Sequence, residues 1–288
     1  MGSKFSLKKS LLFAKSEYTQ WIMNPKMCIL VVMGIFIYQF VIQPIIQTAE
    51  QMQCQISVFE PFVALGTSGM VLLILPLVYM VLMSEFPRMK SGDWYWIIRL
   101  GRSNWILGQI LFGFFSICSY LFFVALICII PVLFKSSWSL EWSNVVLKYR
   151  LYFPEKRGDF VAELFPENLY NQMSIRKALC NTYILLVCYL FLVLLILLVA
   201  NLCKKRVVGI VLAVVIIATG TALCSLQSDA MWFFPMSHSV VWLHYTEYYR
   251  EQVVPITTSY LYFAFTILLL FIFCLIKVYT YQYDSQEV

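Results

Sequence analysis

Residues 66–69 read Gly-Thr-Ser-Gly. A serine set between small residues in an apolar run is a candidate nucleophile if a histidine base lies within hydrogen-bond reach. The sequence offers two histidines, His238 and His244, and both fall in a segment expected outside the apolar runs. The same small residues suit close packing between helices, and packing is the preferred reading. A second polar pattern is Gln39, Gln43 and Gln47, which at i, i+4 and i+8 share one face of a helix. Two readings stay open for it: a pathway lining or dimer seam, or hydrogen bonding between helices.

Other chemistry is sparse. Nine cysteines are present, and Cys54 is the one that falls in a short loop. With no CxxC or Cys/His metal spacing, they read as small buried hydrophobes. The chain has no phosphate-cradling P-loop, metal-helix motif or carboxylate pair. It is therefore expected to hydrolyse no nucleotide and to carry no metal or cofactor of its own.

Composition says where such residues must sit. The chain is 61% hydrophobic and 12% charged, whereas a soluble domain is about 45–50% apolar and about 25% charged. That excess has to face lipid. The aromatic share of 17% suits a protein with two membrane–water interfaces. The expected class is an all-α integral membrane protein. The net charge of +6 reads as an orientation signal, because the basic residues cluster beside apolar runs; no nucleic-acid partner is implied.

Six runs are long enough to span: Met27–Ile46, Pro61–Met83, Trp105–Phe134, Ala178–Leu202, Val207–Leu226 and Thr257–Val278. Pro131 is placed to end or kink the third. None holds an ionisable residue deep inside, which counts against an ion-driven transporter or proton pump. Before the first run lie Lys4, Lys8, Lys9, Lys15 and Lys26 and no apolar core of signal-peptide form, so that run is expected to direct insertion. Lys and Arg in the short flanks, including Arg88, Lys90, Arg99, Arg102, Lys204, Lys205 and Arg206, predict that both termini are cytoplasmic in a multi-pass protein of the cell membrane. The segment 135–177 would then lie outside despite its seven basic residues, which five acidic ones accompany.

The flanks have structure of their own. Leu7, Leu11, Ala14, Tyr18 and Trp21 recur at helical spacing, with Lys8, Lys9, Lys15 and Glu17 elsewhere. This predicts an amphipathic helix within 1–26 lying flat on the cytoplasmic leaflet. Trp138 and Trp142, at i, i+4, and the aromatic stretch within 227–256 predict amphipathic pieces at the outer interface or a lid over an exit path.

The stretch EFPRMKSGDWYWIIRLGRSNWILGQIL, residues 85–111, is an island between the second and third runs. Asp93 is a candidate N-cap. Trp94, Ile97, Ile98 and Gly101 then fall on one face of a short helix, with Arg99 and Arg102 elsewhere; Ser103 or Asn104 is placed to cap the next helix. A plain solvent loop needs no such apolar face.

The ordered set of an N-terminal amphipathic helix, six runs and this cytoplasmic island resembles the membrane subunit of type-2 ABC exporters, the ABC-2-type permease family. The Gly-Asp, Arg-Leu-Gly-Arg and Gly-Gln spacing looks like that family's coupling region. The resemblance implies an elbow helix at 1–26 and a six-span permease domain at 27–288. It implies two permease copies, or one with a sister, and a separate cytoplasmic ABC ATPase carrying the ATP and magnesium. Asp93, Trp94, Trp96, Ile97, Ile98, Arg99 and Arg102 would form the coupling site, with the apolar residues docking and the arginines pairing with acids of the ATPase. The cargo would be a peptide, lipid or hydrophobic drug. The alternative is an intramembrane enzyme or a membrane scaffold without an ATPase.

Overall fold

The computed structural model describes residues 5–87, 94–134, 136–156, 159–246, 248 and 251–280, without the side chains at 94–96 and 156. The described chain is almost wholly helical. Helix α1 spans Leu7–Ile22. A 3-10 turn at Pro25–Cys28, capped by the Asn24 side chain on the Lys26 amide, opens a long bent helix made of α2 (Ile29–Ile37), a π stretch (Tyr38–Ile42) and α3 (Gln43–Met52). The π stretch has a local cause: Pro44 brings no N–H for the carbonyl four residues earlier, and the helix widens just before it.

Helix α4 (Glu60–Leu65) and helix α5 (Gly69–Leu82) carry the chain back across the bundle. They are followed by the short α6 (Trp94–Leu100) and the long α7 (Arg102–Ile129), which a 3-10 turn at Ile130–Val132 extends. Short helices α8 (Asn144–Tyr152), α9 (Phe160–Leu164) and α10 (Glu167–Tyr170) precede α11 (Ile175–Leu202). Helix α12 (Arg206–Ser225), the short α13 (Pro235–Ser239) and α14 (Ile256–Thr280) complete the chain. Five helices, Pro25–Met52, Arg102–Val132, Ile175–Leu202, Arg206–Ser225 and Ile256–Thr280, are long and apolar enough to cross a membrane. The chain is a multi-pass, all-α membrane protein.

The second apolar run is not one helix. It breaks at Gly66–Ser68, and α5 alone, with 14 residues, reaches about 21 Å at 1.5 Å per residue, short of the roughly 30 Å of hydrocarbon. Thr67 Oγ1 lies 2.7 Å from the carbonyls of both Ala64 and Leu164. The Trp242 indole donates to the Thr67 carbonyl at 3.2 Å. Gly66 faces α11 so closely that a Cβ there would fall 2.3 Å from a methyl of Thr182. The Gly-Thr-Ser-Gly stretch is thus a packed break against α11. Ser68 precedes α5 as its N-cap, and both histidines bond elsewhere.

Buried hydroxyls bridge α5 and α7. Pro76 interrupts the backbone ladder of α5, and Tyr120 of α7 donates its hydroxyl to the adjacent Leu75 carbonyl at 2.8 Å. One turn on, the Tyr79 hydroxyl pairs with Ser116 Oγ at 2.8 Å. The two tyrosine rings lie 5.4 Å apart.

Helix α1 is docked on this bundle. Ser6 N–H donates to Asn104 Oδ1 at 2.8 Å, and the Tyr18 hydroxyl meets Ser119 at 2.5 Å, so α1 runs alongside α7 instead of lying apart from it. The expected stripe is corrected in part: Ala14 and Trp21 are buried, together with Ser10, Phe13 and Glu17, and Tyr18 is half-buried, while Leu7 and Leu11 are exposed. Small groups explain the rotation: Gly108 of α7 sits against Phe13 and the Ser10 carbonyl, and close approach there outweighs burial of two leucines that lipid solvates equally well.

At the opposite end of the bundle, the described residues of 53–60, 136–173 and 227–253 interlock. Two-residue strands β1 (Ile56–Ser57) and β2 (Ser136–Ser137) pair in parallel. Residues 138–142 are not helical, which corrects the paired-tryptophan reading. Trp142 instead donates to the Met173 carbonyl at 2.8 Å, and helix α8 starts only after Ser143, whose hydroxyl caps it. Arg150 and Glu167 tie α8 to α10 at 3.0 Å.

Glu60 pins this end. It is fully buried, accepting from Ser57 N–H at 3.1 Å and Ser143 N–H at 2.6 Å. Burial pushes its carboxyl up from 4.5 to about 7, against the pull of the Ser143 and Ser57 hydrogen bonds. The fold therefore favours the protonated form. This contribution is whole below pH 4.5 and is lost as pH rises through about 7. Melting of the detergent-solubilised protein should show a component that falls over that window and flattens above it. Glu60→Gln, neutral throughout, should lack this component; a variant with the wild-type profile would refute the assignment.

Candidate functional site: the α6 junction

The island takes the expected helical form at Trp94–Leu100. Its end is set by Gly101, at φ 84° and ψ 149°, a region of backbone space that only glycine enters without strain of about 1–3 kcal/mol. This residue turns the chain from α6 into α7 and is the N-cap of α7. Ser103 and Asn104, expected as caps, lie inside the first turn of α7 and do different work.

Asn104 is the hub. Buried at the base of α7, it donates from Nδ2 to the Leu100 carbonyl at 2.7 Å and accepts the Ser6 amide on Oδ1. One amide side chain thus fastens the end of α6 and the start of α1 to α7. The next two ties reach α14. Arg102 Nη1 donates to the Tyr279 carbonyl at 2.5 Å, and Ser103 Oγ meets the Tyr279 hydroxyl at 2.6 Å. Four elements, α1, α6, α7 and α14, meet within one turn.

The two isoleucines part company. Ile97 is 5% exposed and Ile98 is 68% exposed. The expectation that they share one outward face is therefore corrected: Ile97, with Leu100, turns into the core, because it lies on the side of α6 that packs against α7. Ile98 and Arg99 point out. Arg102 is exposed yet bonded within the chain. Asp93 lies outside the described residues, as do the Trp94 and Trp96 side chains.

The surroundings are basic. Lys8, Lys9 and Lys15 are exposed along α1, as are Lys205 and Arg206 at the start of α12. Lys26 is engaged, 2.7 Å from Glu85 and 2.9 Å from Ser84 Oγ. The junction therefore offers an exposed isoleucine beside an exposed guanidinium in a positive field, an arrangement suited to a partner surface with an apolar socket and acidic rim. Among the described residues, no group of three His, Cys, Asp or Glu side chains is arranged to hold a metal.

The glutamines lie far from this junction. Gln39 stands near the middle of the first span, within the π stretch, and is exposed; Gln43 is half-buried and Gln47 exposed. The single sharing face is sheared by the π turn. The sequence places Gly101 on the apolar face and Asn104 as a candidate cap, but not as the turn and the hub they form here. Their one signal was a polar amide and a glycine at the foot of an apolar run.

Asn104→Leu should remove the side-chain partner of the Leu100 carbonyl and of the Ser6 amide together, at a cost of about 1–3 kcal/mol for the buried pair. Hydrogen exchange should rise at the first turn of α1 and the last turn of α6 while staying unchanged in α8–α10. Unchanged exchange at both would show that the hub is dispensable.

Compared with known proteins, the chain matches no protein-family profile, no curated protein and no solved structure, so the functional reading rests on its own residues and geometry.

Proposed function

We propose that the chain is the membrane-spanning permease subunit of an ATP-driven exporter of the ABC-2 type. It would work in the cell membrane with a separate cytoplasmic ABC ATPase and a second permease, identical or a sister. The single observation that carries the reading is the α6 junction. A short helix with an outward Ile98 and Arg99 is tied through Asn104, Arg102 and Ser103 to three other elements. Force applied to α6 is thereby passed into α7, α1 and α14 together. The helix it moves is long. Arg102–Val132 has 31 residues, about 46 Å at 1.5 Å per residue, against a hydrocarbon core of roughly 30 Å. Its base extends past the hydrocarbon, within reach of a soluble partner.

In this reading the broken stretch Pro61–Met83 is the sixth crossing, and both termini are cytoplasmic. Helix α1, with Leu7, Leu11 and Leu12 exposed beside Lys8, Lys9 and Lys15, is the elbow at the leaflet surface. ATP and magnesium belong to the partner, and this chain is a transport subunit, not an enzyme. The apolar spans suit a hydrophobic or amphipathic cargo, such as a peptide, lipid or drug. The exposed mid-span Gln39 supports a seam with the second permease, since an amide facing lipid has no partner.

A pull-down of the tagged protein in mild detergent should bring down an ABC-type ATPase. Ile98→Asp should weaken that association about tenfold to a hundredfold, since a buried isoleucine contributes on the order of 1.5–3 kcal/mol. Arg99→Ala should weaken it less and in a salt-dependent way. Ile97→Ala is the contrasting control. Its cavity should lower stability by about 2–5 kcal/mol with a smaller effect on docking. No ATPase in the pull-down, or full association by Ile98→Asp, returns the chain to a scaffold or intramembrane enzyme.

The seam has its own test. Gln39→Leu with Gln43→Leu should lower the yield of the permease pair on crosslinking while the monomer keeps its melting temperature. Intact pairing with impaired transport would move the glutamines to a pathway.

A further inference from the structure

Ser259, in the first turns of α14, sits between two imidazoles. Its Oγ lies 2.8 Å from His238 Nδ1 and 2.6 Å from His244 Nε2. The outer nitrogens face backbone: His238 Nε2 is 2.9 Å from the Trp232 carbonyl, and His244 Nδ1 is 2.9 Å from the Val240 carbonyl. Ser259 and His244 are 0% exposed and His238 is 6% exposed. The order is carbonyl, imidazole, hydroxyl, imidazole, carbonyl. We propose that His238, Ser259 and His244 form a binding site for one proton.

The argument is a count of hydrogens. Four contacts at hydrogen-bond distance need four bridging hydrogens. The two terminal carbonyls can only accept. A neutral imidazole brings one N–H, and the serine brings one O–H. Three hydrogens therefore serve four contacts, whichever tautomers are chosen, and one contact sets a lone pair against a lone pair. If both outer nitrogens are protonated, as their carbonyl partners require, the gap falls beside Ser259. Its hydroxyl serves one inner nitrogen, and the other faces the oxygen bare. A proton from solvent completes the chain. It adds to the bare nitrogen, which then donates to Oγ, while Oγ donates to the second imidazole. The product is a monocation with all four contacts bridged. A second proton would leave both inner nitrogens as donors and displace the serine hydrogen from its acceptor, so the site takes one.

Among the described residues, the groups around the two rings supply no counterion for that charge. Tyr262 of α14 stacks on His238 with centroids 4.0 Å apart, and Trp232 lies edge-on to both rings. Of the nearby carboxylates, Asp229 on the preceding turn is exposed and Glu167 of α10 is tied to Arg150. Among the described residues, the one charge that bears on His244 is that of His238. Burial pulls His238 down and His244 down to about 4. The proton is therefore absent near neutrality and enters in acid, with His238 as the member in contact with solvent. Its uptake tightens the tie between residues 232–244 and α14.

Trp232 is a built-in reporter, because an imidazolium beside an indole quenches its fluorescence. The experiment titrates the full chain in nanodiscs and subtracts the Trp232→Phe variant, which keeps the backbone carbonyl. The difference signal should show one transition, one proton wide, with its midpoint between about 4 and 6.5. Ser259→Ala removes the bridging oxygen and should move the midpoint down by about one pH unit or more, a tenfold loss of proton affinity; Ser259→Thr should keep it. No transition in that interval, a two-proton transition, or an unmoved midpoint in Ser259→Ala would each overturn the proposal. The stoichiometry needs no serine variant, so it decides even where Ser259→Ala fails to fold.

Discussion

Within a bilayer a backbone carbonyl that loses its helical partner has no water to turn to. This chain interrupts its helices repeatedly, and donors from other elements gather at several of the interruptions. The Leu75 carbonyl, next to Pro76, receives the Tyr120 hydroxyl, and the Thr67 carbonyl at the α4–α5 break receives the Trp242 indole. The Leu82 carbonyl at the end of α5 receives the Trp21 indole, and the Leu100 carbonyl at the end of α6 receives Asn104. Each donor lies in a different segment from the carbonyl it serves, except that Asn104 closes a single turn. The requirement to satisfy broken backbone therefore decides which elements pack together.

That rule also explains what pattern reading could and could not recover. The long apolar helices were legible because a hydrocarbon slab demands length and hydropathy, and both are local properties. Helix α7 starts three residues before the expected run, and α12 starts one before it. The break at Gly66–Ser68 was not legible as a break, because Leu164, Trp242 and Thr182 that stabilise it are distant in sequence. The stripe on α1 was recovered only in part, at Ala14 and Trp21, for the same reason. Hydropathy added Leu7 and Leu11, whereas contact with α7 selected Ser10, which allows close approach. Ile97 and Ile98 have nearly the same chemistry and opposite environments, a distinction made by α7 alone.

The two ends of the bundle are built differently. At the α8–α10 end the ties are numerous and polar: Glu60 between two amides, Ser57 Oγ on the Ser139 carbonyl at 2.7 Å, Trp142 on Met173 and Asn168 on the Tyr245 carbonyl at 2.9 Å. They link segments far apart in the chain, so moving one requires breaking several. At the α6 end, among the described residues, Asn104, Arg102 and Ser103 of α7 hold α6, α1 and α14, and Ile98 and Arg99 beside them are exposed. Under the proposed coupling, movement enters at this end and the polar ties at the other end act as the pivot.

Where such a pivot would act follows from the residues between the ends. Along α7 the contacts with α5 are tyrosine and serine hydroxyls set in a close-packed seam, and Gly113 lies directly under Leu194 of α11. Packed interiors transmit displacement poorly by deformation and well by rigid movement. A shift at α6 cannot be absorbed at Gly101 without also moving Asn104, because Asn104 holds Leu100 on one side of the glycine and Ser6 beyond it. The glycine turn bends the chain, and the amide hub stops it from acting as a free hinge. Helix α1 is therefore fastened to the base of α7, with Leu7, Leu11, Lys8, Lys9 and Lys15 exposed along it.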